Sequence, residues 1–154
     1  LKRLVLAERE VLYQMMSNGF VVDFYEKYIG VFYDEIYRQI ASYVVENYKS
    51  GNGIDPLNVI SLIQSSDSSN QDELINEITE LMLEKNHPNK CSQDLLDSLL
   101  QSINEEKNII FEKDTLESSL EGKDELTRAR ILTDYNRRKV KRVEEKNNTK
   151  EGGN

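Results

Sequence analysis

The segment LVLAEREVLYQMM, residues 4–16, decides the fold class of this chain. On a helical wheel at about 100° per residue, its apolar side chains share one face, as in an amphipathic helix. That face consists of Leu1, Leu4, Val5, Val11, Leu12, Met15 and Met16. Glu8 falls in the middle of it. A carboxylate there is either solvated, where the face leaves the body, or buried and hydrogen-bonded. We hypothesise that Glu8 is buried and caps the start of another helix, because free N–H groups and the positive helix end favour a carboxylate.

The composition extends the helical prediction to the whole chain. The 154 residues are 38% hydrophobic and 31% charged, with only 7 Gly, 2 Pro and no Trp. Few helix breakers and no alternating strand pattern indicate an all-α fold. No apolar run approaches the roughly 18 residues of a membrane span, and no secretory signal opens the chain. The single Cys fits a reducing cytoplasm. Because the chain begins with Leu1, we expect a fragment of a longer protein.

Capping signals divide the chain into helices. We predict that the first helix ends at Gly19 with a left-handed stop, that Asp55 and Ser92 are N-caps, and that Asn70 forms a capping box with Glu73. The predicted helices are 1–17, 20–28, 32–49, 56–63, 71–86, 92–120 and 125–146.

The helix predicted over 92–120 contains neither Gly nor Pro, and its apolar face rotates partway along. Such a helix changes packing partners along its length. Gly122 then predicts a tight turn. We therefore expect a bundle of five to six helices over residues 1–105, whose last helix continues as a long connecting helix into a C-terminal helical hairpin over 106–146. A disordered tail is predicted over 147–154.

The charge is distributed unevenly along the chain. Residues 1–122 hold 10 Lys and Arg against 22 Asp and Glu, whereas residues 123–154 hold 10 against 6. An acidic body repels nucleic acid, and a basic end attracts acidic partners or phosphates. The basic run RRKVKR, 137–142, is followed at once by two glutamates and has no aromatic stacking series. Its pattern therefore argues against direct nucleic-acid binding.

The last predicted helix has two dissimilar faces. One face is expected to pack against Leu116 and Leu120, and it comprises Leu126, Ala129, Leu132, Val140 and Val143. The opposite face, the basic stripe, comprises Arg128, Ile131, Tyr135, Arg138, Lys139 and Arg142. Its large side chains are either scattered on a solvated surface or form a docking stripe, since Tyr and Arg dominate binding hot spots.

Catalytic motifs are absent from the sequence. His87 and Cys91 are the only His and the only Cys, four residues apart in a predicted loop. They are at most half a zinc site, so we predict no metal and no cofactor. The same scarcity removes Ser-His-Asp and Cys-His catalysis, and no phosphate-binding glycine loop occurs. We predict that this chain is not an enzyme.

The segment LAEREVLYQMM, residues 6–16, resembles the start of the C-terminal helicase-binding domain of bacterial replicative DNA primases. That family begins with a helix of the form A-E-[RK]-x-[LV]-L-x-x-M/L. The resemblance extends over the layout of the whole chain: a bundle, a long connecting helix and a C-terminal hairpin. The composition, with abundant Asn, Lys and Ile, resembles that of primases from low-GC Gram-positive bacteria.

The resemblance implies a non-catalytic module of a bacterial, cytoplasmic primase, an RNA-primer-synthesising nucleotidyltransferase. Its hairpin would dock on the N-terminal domain of the hexameric replicative helicase at the replication fork, and the module would modulate primer synthesis and helicase activity. From the helical wheel we predict that the contacts are Arg128, Ile131, Tyr135, Arg138 and Arg142, supported by Leu116 and Leu120. Two alternatives stay open: the N-terminal dimerisation domain of the helicase itself, which resembles this fold and opening helix, and a nucleic-acid-binding helical module.

Overall fold

The computed structural model describes residues 1–87 and 91–151, with side chains as far as residue 141, and its regular structure is entirely helical. The α-helices are α1 (Lys2–Met15), α2 (Gly19–Phe24), α3 (Glu35–Lys49), α4 (Pro56–Gln64), α5 (Gln71–Leu83), α6 (Gln93–Leu120) and α7 (Glu125–Glu151). A π-helical turn, Tyr25–Ile29, continues α2. No strand occurs within the described ranges, which confirms the all-α prediction. None of the helices in those ranges is long and apolar enough to cross a membrane.

The chain divides into two compact units, Leu1–Glu106 and Lys107–Asn154. We call them the bundle and the hairpin. The division falls inside α6, one residue beyond the boundary that the sequence predicts. The rotation of the apolar face of α6 coincides with this change of unit. Leu96 and Ile103 are buried in the bundle, whereas Leu116 and Leu120 are half-buried in the hairpin.

The bundle core is built from the amphipathic faces of its helices. On α1, the side chains of Leu4, Val11, Leu12 and Met15 are 0% exposed. The other helices contribute Val21, Val22, Ile40, Val44, Val59, Ile63, Leu74, Ile78, Leu81 and Leu96 at the same exposure. Burial of a large aliphatic side chain stabilises a fold by about 1.5–3 kcal/mol, so this periodic pattern determines the helix packing.

Two predicted caps are confirmed and one is wrong. The Asp55 carboxylate accepts from Leu57 N at 3.0 Å, and Ser92 Oγ accepts from Leu95 N at 3.1 Å. Asn70 does occupy the N-cap position of α5, but its side chain makes no cap hydrogen bond. Its Oδ1 instead accepts from Ser68 Oγ at 2.5 Å, and its Nδ2 donates to Gln39 Oε1 at 2.9 Å, so these two bonds replace the predicted capping box.

Gly19 does not end α1 as predicted. It is the first residue of α2, and its φ is not among the positive values, which occur at Gly30, Gly51, Gly53 and Gly122. A Cβ on Gly19 would lie 2.8 Å from Cε2 of Tyr48. The glycine is therefore required for its size and not for a left-handed conformation.

The hairpin consists of the last part of α6, a tight turn and α7. Gly122 lies in the turn with φ of +73°, which confirms the predicted glycine turn. The Asp124 carboxylate caps α7 by accepting from Thr127 N at 2.7 Å. Helix α7 continues to Glu151, five residues beyond its predicted end, so the predicted tail is helical up to that residue. The last predicted tail residues, 152–154, lie outside the described residues.

Candidate interaction surface

Glu8 is buried and hydrogen-bonded at the start of α3. Its side chain is 0% exposed, and its two carboxylate oxygens accept from Tyr33 N at 2.6 Å and from Asp34 N at 2.9 Å. Asp34 is the N-cap residue of α3. The hypothesis that Glu8 caps the start of another helix is therefore confirmed, with the bonds made to the N-cap residue and the residue before it. Burial, and next the charge of Glu8, raises the pKa of Tyr25 above its ordinary value of 10.0.

His87 has partners that the sequence does not reveal. Its ring stacks on Tyr13 with the centroids 3.5 Å apart, and its Nδ1 lies 2.7 Å from Glu10 Oε2. Its Nε2 is buried and lies 3.2 Å from Glu84 Oε2 without hydrogen-bond geometry. Only 6% of the side chain is exposed, and His87 therefore holds the segment that follows α5 against α1. The structure places His87 outside the helices, as the sequence predicts, but none of these contacts was predicted.

This histidine cluster does not form a reaction centre. A general base must reach a substrate, but the His87 side chain is only 6% exposed and its two ring nitrogens lie close to the carboxylates of Glu10 and Glu84. Burial, followed by the charge of Glu10, raises the pKa of Cys91 above its ordinary value of 9.0, so the thiol stays protonated at neutral pH. Among the described residues, no three His, Cys, Asp or Glu side chains converge as metal ligands do.

The seam of the hairpin lies on the face of α7 opposite to the predicted one. The half-buried side chains of α7 are Thr127, Ile131 and Tyr135, spaced four residues apart. The face predicted to pack is exposed: Leu126 by 66%, Leu132 by 40% and Val140 by 58%. The predicted packing face is therefore wrong. It holds more apolar positions, but Ile131 and Tyr135 bring more apolar area to the seam than residues such as Ala129 do.

The two helices of the hairpin form a narrow groove, which we call the hairpin groove. Its volume is about 210 Å³, and it is lined by Phe111, Glu112, Thr115, Leu116, Ser119, Ile131, Tyr135 and Arg138. Most of the lining is apolar, and Glu112 and Arg138 are its charged members. Ligand pockets for small molecules usually measure about 300–1,000 Å³. A groove of this size fits one or two protruding side chains of a protein partner better than a metabolite.

Four of the predicted contact residues meet in this groove: Leu116, Ile131, Tyr135 and Arg138. Leu120 and Arg128 line a separate, shallow concavity at the turn, together with Gly122. The predicted stripe is therefore divided between two concavities. The side chain of Arg142 lies outside the described residues.

Phe111 is the groove residue that the sequence analysis missed. It is 71% exposed and lines the groove at the α6 side. Its segment, IIFEK at 109–113, is unusually apolar for the outer part of a hairpin. That composition was the available signal, because an aromatic ring left at a helix surface is typical of binding hot spots.

Comparison with known proteins identifies no relative. No family model, no curated protein and no solved structure matches this chain. The resemblance of residues 6–16 to the primase domain therefore stays a prediction.

Proposed function

We propose that this chain is a non-catalytic interaction module that binds the N-terminal domain of a hexameric replicative helicase through the hairpin groove. As part of a DNA primase, it would recruit primer synthesis to the replication fork and modulate both enzymes. The proposal combines the resemblance of residues 6–16 with a helical bundle that is followed by a separate helical hairpin.

The observation that carries the proposal is the thin seam of the hairpin. No described side chain of α7 is buried, and its seam residues are only half-buried. A pair of helices with so little burial gains little stability from its own packing. The exposed Phe111 and the open groove beside Ile131 and Tyr135 would gain burial on a partner. Binding to a partner would thus bury apolar side chains that the hairpin alone leaves partly exposed.

The residue types of the groove suit a protein partner. Tyr135 and Arg138 belong to the two residue types that, with Trp, are most enriched in binding hot spots, and Leu116 and Ile131 supply an apolar floor. The lining holds one cation, Arg138, and one carboxylate, Glu112, so apolar contact rather than net charge favours a partner with a protruding apolar side chain.

The test is a titration of the chain against the N-terminal domain of the helicase. Replacing Tyr135 by Ala, or Phe111 by Ala, should each weaken binding by about 2 kcal/mol, a change of roughly 30-fold in Kd. Tyr28→Ala is the matched control, because Tyr28 is an aromatic side chain of the bundle that is 52% exposed. Equal affinity of all three variants, with helicity unchanged by circular dichroism, would remove the groove from the proposal.

A nucleic-acid-binding module is the second candidate, and the cations of α7 favour it. Arg130, Arg137, Lys139 and Lys141 are exposed and make no ion pair within the part of the chain that the structure describes. Phosphate binding would make the affinity for a single-stranded oligonucleotide fall steeply with salt. Binding to the helicase domain without binding to the oligonucleotide rejects this candidate. A concentration-dependent mass of the chain alone would instead favour a dimerisation domain.

A further inference from the structure

The apolar face of α7 that points away from the groove is exposed within the part of the chain that the structure describes. We call it the leucine face; it comprises Leu126, Ala129, Leu132, Thr133, Asn136 and Val140, and all six side chains are exposed. At about 100° per residue, these positions lie together and opposite to Ile131 and Tyr135. The leucine face is thus a second apolar surface of the hairpin, separate from the hairpin groove.

Cations border the leucine face on both sides. On the helical wheel, Arg130, Arg137 and Lys141 follow one edge, whereas Arg128 and Lys139 follow the other. From Glu125 to Lys141, two carboxylates of α7, Glu125 and Asp134, lie on or beside the face. Arg128 shares the concavity at the turn with three carboxylates at and near the end of α6, so the positive part of the rim runs from Arg130 to Lys141. The face therefore combines the apolar side chains Leu126, Ala129, Leu132 and Val140, with Thr133 and Asn136 among them, and a basic rim along several turns of one helix.

We propose that the leucine face binds an amphipathic helix of a partner protein whose apolar ridge is flanked by carboxylates. An apolar ridge buries the leucines, and flanking Glu or Asp side chains meet the cations, as in the charge-matched edges of coiled coils. Pairing with the same face of a second copy would instead bring the cationic rims together, and like charges in close contact are unfavourable. This second surface does not depend on the helicase proposal, because it uses a different face of α7.

The probe is a synthetic capped peptide of about 21 residues, with Leu at the a and d positions and Glu at the e and g positions of each heptad. A second peptide carries Lys in place of each Glu, and a third is a scrambled version of the acidic peptide. Binding to the full chain is measured by fluorescence anisotropy. The acidic peptide should bind at least about tenfold tighter than the other two, and higher salt should reduce the difference.

Two variants of the chain test the two components of the surface. The double substitution Leu132→Ser and Val140→Ser should weaken binding of the acidic peptide by about tenfold, because two apolar side chains of the face are lost. Arg137→Glu with Lys141→Glu should shift the preference toward the Lys peptide. Phe111→Ala, in the groove, is the control and should leave peptide binding unchanged. All of these positions are exposed, so the fold is expected to persist, as circular dichroism will verify.

Several results would overturn the proposal. They are equal binding of the acidic and scrambled peptides, insensitivity to the Leu132 and Val140 substitutions, and a peptide-independent increase of mass that shows self-association. Since the helicase is not part of the assay, peptide binding without helicase binding would refute only the proposed function. If the chain binds the helicase domain but not the acidic peptide, only the proposal for the leucine face is refuted.

Discussion

Replacement of Glu8 tests whether a single buried carboxylate fixes the start of α3. In the structure, the two oxygens of Glu8 accept one backbone N–H each, from Tyr33 and Asp34. Gln has nearly the same shape, but only its carbonyl oxygen accepts, and its NH₂ group faces the second N–H. A hydrogen bond to a charged group contributes about 1.5–3 kcal/mol, so we expect Glu8→Gln to lower the free energy of unfolding by about 2–3 kcal/mol. Glu8→Ala loses both bonds and leaves a void, and should cost about 3–5 kcal/mol.

The assay is urea unfolding followed by tyrosine fluorescence. Seven of the 8 tyrosines lie in the bundle, so the signal reports mainly on that unit. With a slope of about 2 kcal/mol per molar urea, Glu8→Gln should lower the unfolding midpoint by about 1–1.5 M. Glu46→Gln removes the same charge from an exposed position of α3 and should stay within about 0.5 kcal/mol of the parent chain. A Glu8→Gln midpoint equal to that of this control would refute the reasoning, because the carboxylate would then contribute nothing specific.

Three further predictions follow from contacts in the two units. Gly19→Ala should destabilise the bundle by about 1 kcal/mol, since the new Cβ must displace the Tyr48 ring; the combination with Tyr48→Leu should recover most of that loss in a double-mutant cycle. Glu8→Gln should lower the raised pKa of Tyr25, measured by ultraviolet titration, but burial should keep it above 10.0. Two hydrogen bonds from Thr127, one from its side chain and one from its backbone N–H, lower the pKa of Asp124 below 3.8. Its cap should therefore stabilise α7 above that pH and be lost as the pH falls through the lowered pKa, which an NMR titration of the carboxyl group will show.

Local rules predicted most of the helices and the role of Glu8. The apolar period of α1 identified its buried face, and the cost of burying an unpaired carboxylate required a hydrogen-bond partner for Glu8. Both features depend on the pattern of residues within one helix. Helix caps at Asp55 and Ser92 were equally readable, since their partners lie two or three residues away.

The failures arise where a distant residue decides the outcome. Asn70 does not form its box because its side chain is held elsewhere: its Nδ2 donates to Gln39, 31 residues away, and its Oδ1 accepts from Ser68 Oγ. His87 pairs with Glu10 at a separation of 77 residues, and no local pattern announces that contact. Gly19 shows that a sequence does not distinguish a glycine required for its φ from one required by a neighbour.

The hairpin error has a different cause. A helical wheel counts apolar positions, whereas packing depends on the area that each side chain buries. Ile131 and Tyr135 occupy the seam although they are surrounded by arginines in the sequence. Long basic side chains extend away from such a seam and keep their charges in water, so an arginine-rich surrounding is compatible with packing.

The contact between the first helix and α6 has a consequence for the order of folding. Arg3 donates to Ser102 Oγ at 3.2 Å and lies 3.3 Å from Glu105 Oε2, across a separation of about one hundred residues. Helices α1 to α5 contact mainly their neighbours or next neighbours in the chain, although Glu10 of α1 reaches His87 across 77 residues. Because closing a long loop costs more entropy and takes more time, the early helices should associate first and the first part of α6 should dock last. During synthesis, the bundle can therefore become complete only once the first part of α6 has emerged, because that segment follows all the other helices of the bundle.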